Sequence, residues 1–414
     1  MRGWRLTIGA LCLCAVTCGG STAPSVKVAL SGVVRDAATS GALAGAHVEI
    51  TAGANSGQTA TADASGHYVL SNLTTGPMTL RASAPNYVPQ TTSVSAAADL
   101  ATDFKLPAGQ FSTSAVAQDA LSLAPLSGVI ATGADVGSSL SDDGGALLII
   151  AATSSPSPRS IEVTSPTTVT RTTTVRIPGD AALLDVIPKG FDLKGFDQLV
   201  RASGTQPLDR WTTAPGLIVI GRTLQFVNTS SIVDAVALAE VMSDEDAASL
   251  VADMSFGLPL MTGGTFTAFS SVVIQTPDAG QTVHLRNTGF VTVSRQAGLT
   301  GFGAGDVLGY GSWQLLGSAV VGGNIALDRT NDVGAFQKSV RLHELGHALG
   351  YNHVTTQFSV MNPACCSVFE PSVFDLQATQ LAFRRQPGSL TPDKDPGTSL
   401  NAQSLTAIWM PPIR

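Results

Sequence analysis

Charge is scarce in this 414-residue chain: Asp, Glu, Lys and Arg make up 13% of it, and no basic run occurs anywhere. With a formal net charge of −7, nothing attracts nucleic-acid phosphates, so no nucleic-acid partner is expected. Cysteine is scarce too, at five residues, and Cys12, Cys14 and Cys18 lie close to the start. That excludes a disulfide framework and leaves buried apolar area as the source of stability. Long hydrophobic runs are missing: the mostly apolar stretch Leu6–Val16 is far shorter than the ~20 residues of a bilayer-spanning helix. Histidine is scarce as well, at six, yet His343, His347 and His353 fall within eleven positions. Against these shortages stand 42 Gly, 22 Pro and 44% hydrophobic residues, the composition of a β-rich globular protein. Its length implies two or three domains.

The first residues, "MRGWRLTIGALCLCAVTCGG", place Arg2 and Arg5 before a short apolar core and then small residues, as an export signal does. "AVTCGGS" resembles a bacterial lipoprotein box, which makes Cys18 the lipidation candidate, although Ala15 stands where Leu is usual. Residues 1–18 are therefore read as a signal and 19–27 as a tether. The expected location is the cell envelope, anchored by lipid, or the extracellular space if the chain is simply secreted. Any membrane contact is expected through that lipid alone. Cys365 and Cys366 would then be the remaining thiols, either a vicinal disulfide or two separate groups.

From Val28 the pattern becomes short alternating strands. Val48 and Ile50 alternate with His47 and Glu49; Tyr68 and Leu70, then Met78, Leu80 and Ala82, follow between turn signals. A β-sandwich over 28–107 is expected. The order "SGVVRDAATSGALAGAHVEI" then "TADASGHYVLSNLTTGPMTLRASAPNYV" resembles the carboxypeptidase-regulatory-like, transthyretin-like domain. That resemblance implies a spacer or adhesive module without catalytic residues. His67 is read as a surface histidine. Residues 108–207 give one strand candidate, Ala146–Ala152, and a Thr-rich stretch; they read as a β-rich connector, a packing or inhibitory segment.

From about Leu208 the grammar is mixed α/β. Strands are expected at Leu217–Ile220, Ser271–Gln275 and Asn324–Asp328. A helical stretch is expected over 231–258, with Ser243 as an N-cap opposite Asp246. A twisted sheet backing one central helix follows, in a domain spanning 208–386, with 387–414 as a tail. The whole is thus multidomain: an N-terminal all-β sandwich and a C-terminal α/β (α+β) domain.

"VRLHELGHALGYNH" has the apolar spacing of a helix up to Gly350. His343 and His347 stand four apart, so both imidazoles leave one face of the helix and reach one ion. Gly350 permits the chain to turn, and His353 returns as a third donor, leaving a fourth place for water as a catalytic zinc requires. A bare HExxH is a weak signal. With the glycine and third histidine added, residue frequencies give roughly two chance occurrences per million such chains.

"HELGHALGYNH" resembles the metzincin zinc proteases, matrixin-like members included, whose pattern is HExxHxxGxxH. The resemblance implies one catalytic Zn²⁺ on His343, His347 and His353, with Glu344 as general base and Gly350 as helix breaker. It also implies a Met-turn at Met361 and a closing helix in "EPSVFDLQATQLAFRR". The implied activity is hydrolysis of peptide bonds in a protein or peptide substrate by zinc-activated water. Substrate is expected antiparallel to an edge strand within Gly303–Gly323. Departures are plain: no histidines remain for a second zinc, His284 being a surface strand residue, no tyrosine follows Met361, and no cysteine-switch motif precedes the domain. Calcium sites are not specified by any residue pattern. The rival reading is a cell-surface adhesive or binding protein whose zinc domain is catalytically idle. Retention of Glu344 argues against it, because metal binding alone does not need that carboxylate.

Overall fold

The computed structural model describes residues 27–109, 111–134, 136–151, 158–201, 206–228, 231–299, 307–334, 336–364, 368–397 and 405–409. Cys18, Cys365 and Cys366 lie outside them. The chain forms two compact units, 1–110 and 111–414. No helix among the described residues is long and apolar enough to cross a membrane.

The first unit is a β-sandwich. One sheet holds β1 (Lys27–Asp36), β4 (His67–Thr74), β7 (Leu100–Ala101) and β8 (Phe104–Leu106); the other holds β2 (His47–Gly53), β3 (Thr59–Thr61), β5 (Gly76–Ser83) and β6 (Gln90–Ala96). Period-two alternation turns Val34, Val48, Ile50, Tyr68, Leu70 and Leu80 into one core, as expected. His67 is exposed at the start of β4.

The second unit begins with the region expected to be a connector, and it is a sandwich-like fold of one seven-stranded sheet around its own core. Its strands are β9 (Phe111–Asp119), β10 (Ile130–Gly133), β11 (Val136–Leu140), β12 (Ala146–Ala151), β13 (Arg159–Thr164), β14 (Arg171–Val175) and β15 (Ala182–Val186). The backbone repeats that of the first unit. Asp36 accepts from the N–H groups of Ala38 and Thr39, and Asp119 from those of Leu121 and Ser122. Asp63 accepts from Ser65 and His67 as Asp142 does from Gly144 and Ala146. β8 lies parallel to β1, and β15 parallel to β9 in the same register. Residues 111–186 are thus a second copy of the first frame. Leu147 and Ile149 turn inward while Leu148 is exposed.

The rest of the unit is a ten-stranded mixed sheet with helices. After α1 (Leu193–Val200) come β16 (Arg210–Trp211), β17 (Gly216–Ile220), β18 (Arg222–Asn228) and β19 (Ser231–Val241). Then follow α2 (Asp244–Met261), β20 (Val272–Gln275), β21 (Thr282–His284), β22 (Phe290–Gln296), β23 (Gly309–Leu316) and β24 (Ala319–Asp328). α3 (Gln337–Ala348), α4 (Val373–Phe383) and β25 (Leu405–Trp409) close the chain. β17, β22 and β24 run parallel, β23 runs antiparallel to β24, and β25 antiparallel to β23. α2 packs on α3 at Gly257, where a Cβ would lie 2.5 Å from Leu342 Cδ2.

Two expectations are corrected. Residues 231–241 are strand rather than helix: Ala235 and Ala237 point inward with period two, between β18 and β21. The helix starts at Ser243, whose side chain accepts from the Asp246 N–H. Where it is described, at 387–397 and 405–409, the stretch read as a tail is part of the fold. Ser389, Asp393 and Asp395 are buried, and β25 extends the sheet.

Candidate metal centre

α3 carries His343 and His347 one turn apart on the face toward the third histidine. Gly350 ends the helical run with φ +104°, the left-handed region that glycine tolerates. The chain then turns back, and its course is fixed by two bonds: Tyr351 O–H donates to the Met261 carbonyl, and Val354 N–H to the Met361 carbonyl. This brings His353 opposite the helix. The Nε2 atoms of the three rings lie 3.0, 3.1 and 3.2 Å apart. Around a tetrahedral zinc with ligand distances of ~2.0–2.1 Å, nitrogens stand ~3.3 Å apart, so the donor set fits such an ion.

The tautomers support the same conclusion. His343 Nδ1 faces the Val360 carbonyl oxygen at 2.8 Å, and His347 Nδ1 faces that of Tyr351 at 2.7 Å. A carbonyl only accepts, so each Nδ1 carries the proton and each Nε2 presents a lone pair. Lone pairs converging at 3.0 Å repel one another; a cation among them turns the repulsion into coordination. Burial, and then the neighbouring His353, pushes His343 down to about 3. Burial likewise lowers His347 and His353. The rings are therefore neutral, which is the ligating form.

Glu344 is the second unusual feature. It is 1% exposed, and neither carboxylate oxygen has a hydrogen-bond partner among the described residues. A buried carboxyl without partners is costly, and burial pushes its pKa well up. Two glycines of β23 make the approach to it possible: a Cβ on Gly309 would lie 2.7 Å from Glu344 Oε1, and one on Gly311 would lie 2.3 Å from His347 Cβ.

Met361 is fully buried, and its sulfur fills the place a Cβ on Gly346 of α3 would take, at 2.2 Å. Thus His343, His347, His353, Glu344, Gly350 and Met361 all meet in one place. The sequence reading missed what supports them. Asp375 receives the Ser359 hydroxyl and the N–H groups of Val360 and Ser372, joining the Met361 turn to the start of α4. The signal was present: Ser372 and Asp375 form a capping box. Also missed was Arg341, fully buried on the opposite face of α3, bonded to Asp332 at 2.8 and 2.9 Å and to Asp253 at 2.7 Å. Only charge neutralisation by those carboxylates makes such a burial tolerable. His284, as expected, is an exposed strand residue, paired with Asp234. The edge-strand expectation needs correction: along Ser312–Leu316, β23 is not a free edge but is covered by β25.

Residues 29–107 match the carboxypeptidase regulatory-like domain. The N-terminal sandwich is a carboxypeptidase regulatory-like domain. Among curated proteins, none matches this chain. Similar solved structures include the Bacillus anthracis TIE protein, at 15% identity and TM-score 0.25, covering 39% of this chain and 34% of that one. A type II cohesin–X-dockerin complex from Acetivibrio cellulolyticus is 22% identical at TM-score 0.17, covering 20% of this chain and 58% of its own. The shaft pilin SpaA from Lactobacillus rhamnosus GG is 10% identical at TM-score 0.19, covering 40% of this chain and 98% of that one. The similarity spans about a third of the TIE protein, and likenesses this low carry no argument about the metal centre.

Proposed function

We propose that this chain is an exported zinc-dependent endopeptidase, with a zincin-like domain formed by the second unit's mixed sheet, α2 and α3. The observation that carries the reading is the convergence of three neutral imidazole nitrogens beside a buried carboxylate with no partner of its own. A structural zinc site has four protein ligands; this one offers three and a base. Zinc bound here supplies Lewis acidity, polarising water and the scissile carbonyl. The chain's residues do the rest. Val360 and Tyr351 carbonyls fix the ring orientations of His343 and His347 through Nδ1. Glu344 accepts the proton of the attacking water on its carboxylate and passes it to the leaving amine, a transfer that contributes typically 10²–10⁴-fold. Gly309 and Gly311 let the backbone of β23 itself pack close against that carboxylate. Export, with or without lipid on Cys18, accords with the residues at the start of the chain, and protein or peptide is the substrate class.

The test is zinc content and casein cleavage measured together on the wild type and on Glu344→Gln. One zinc per chain is expected in both. Cleavage is expected to fall by at least about 10²-fold in the variant. Undiminished cleavage, or a folded chain that takes up no zinc, refutes the reading; zinc uptake without any cleavage by the wild type favours an adhesive protein with an idle metal centre.

A further inference from the structure

We propose that the segment Leu405–Trp409 is an intramolecular competitor that occupies the peptide-docking edge of this chain's own metal centre. The inference rests on the proposed peptidase reading for its consequence, but its geometry is independent. β23 lies between β24 and the outermost strand β25, and it also reaches the site: a Cβ on Gly309 or Gly311 would meet Glu344 or His347. Antiparallel pairing sets Leu405 opposite Leu316 and Trp409 opposite Ser312. The segment therefore advances along β23 toward Gly311. A peptide laid on this edge in the same direction would carry its next residues past Glu344, since two residues cover ~7 Å of strand. β25 thus takes the place of the residues that precede the attacked bond.

The hold is one that can be exchanged. Among the described residues β25 pairs with β23 alone, at the outer edge of the sheet, and its Ile408 packs on the core. The ladder is one of main-chain hydrogen bonds, and any extended peptide offers the same ones. Because the competitor is tethered, its effective concentration is on the order of millimolar. A free peptide docks only during the fraction of time the segment is away, so the wild type cleaves, at less than its full rate.

The test uses the full chain and a fluorescent peptide, SLTAIWM, copied from residues 404–410. In Thr406→Pro/Ala407→Pro, adjacent prolines remove whichever N–H faces β23. Peptide capture by anisotropy is expected to strengthen at least about tenfold over wild type. Leu316→Cys/Leu405→Cys supplies the converse in a chain whose ladder is kept: the oxidised form is expected to capture no peptide, and reduction to restore the wild-type level. Equal capture by the proline variant and the wild type, or by the clamped and reduced forms, overturns the proposal. Casein cleavage is read in parallel. Capture gained without any cleavage leaves the competitor standing and overturns the peptidase reading alone.

Discussion

Position for position, Lys105 of the first sandwich corresponds to Asp185 of the second, and Gln90 to Arg171. Lys105 is exposed and Gln90 half-buried. Asp185, by contrast, receives Arg384 at 2.9 Å from each of Nε and Nη2, and Arg171 holds Asp395 at 2.8 Å. Gln380 of α4 donates to the carbonyls of Ala120 and Leu121. The same backbone frame is in one case a module with its own core and in the other a part of the unit that carries the metal centre. Most strand pairings are shared, although β11–β12 pairing joins the second copy into one seven-stranded sheet, and the difference in role lies in a few outward side chains. Arg384 and Arg385 follow α4, and Asp375 at the start of α4 fixes the Met361 turn. The second sandwich is therefore tied to the helix that frames the site.

Breaking that tie should have the largest effect. Asp185→Ala leaves Arg384 without its carboxylate and is expected to cost the second unit about 2–4 kcal/mol. The matching Lys105→Ala should change the first unit by less than ~0.5 kcal/mol. Urea unfolding followed by tryptophan fluorescence checks the former, because three of the four tryptophans, Trp211, Trp313 and Trp409, belong to the second unit. A neutral Asp185→Ala would dissolve the distinction between the two sandwiches.

The shared frame is tested at its turns. Gly66 and Gly145 have φ +78° and +75°, and a Cβ would lie 2.6 Å from the Val34 carbonyl and 2.4 Å from that of Ala117. Alanine at either is expected to cost its own unit roughly 1–3 kcal/mol. Losses of different size would show that the turns are not equivalent.

A pH-dependent effect is expected at the seam between 208–210 and 385–389, which the first sandwich lacks. Burial pushes the Asp209 carboxyl up to about 7, against ~3.9 in an unfolded chain. Between those values the folded state binds more protons, so its stability declines as pH rises from about 4 to about 7 and levels off above. In Asp209→Asn that decline should be absent from the melting temperature of the second unit across the same range. A profile identical to wild type would mean that Asp209 is ionised in the fold.

The first sandwich was legible because its alternating strands carry bulky residues: Tyr68, Leu70, Leu80 and Phe104 mark the inward face. The second copy was not. Its inward positions are often small, Ala115, Ala117 and Ala131, and Leu147 stands where Tyr68 does, so alternation fades into the Ala- and Thr-rich background. The stretch 231–241 misled for a related reason: alanine-rich, weakly alternating segments suit helix by propensity, and flanking strands decide otherwise.

Spacing along a helix is a local property, so the histidine pair, Glu344, the turn at Gly350 and the return of His353 were written in the residues themselves. Steric and periodic rules acting over a dozen positions suffice for that. What lies across the site from α3 was not written there. The glycines of β23 against Glu344, Asp375 beneath Met361, the Arg341 cluster and the strand Leu405–Trp409 on the docking edge are contacts between distant segments. Such contacts depend on which faces are buried together, and only the packed chain determines that.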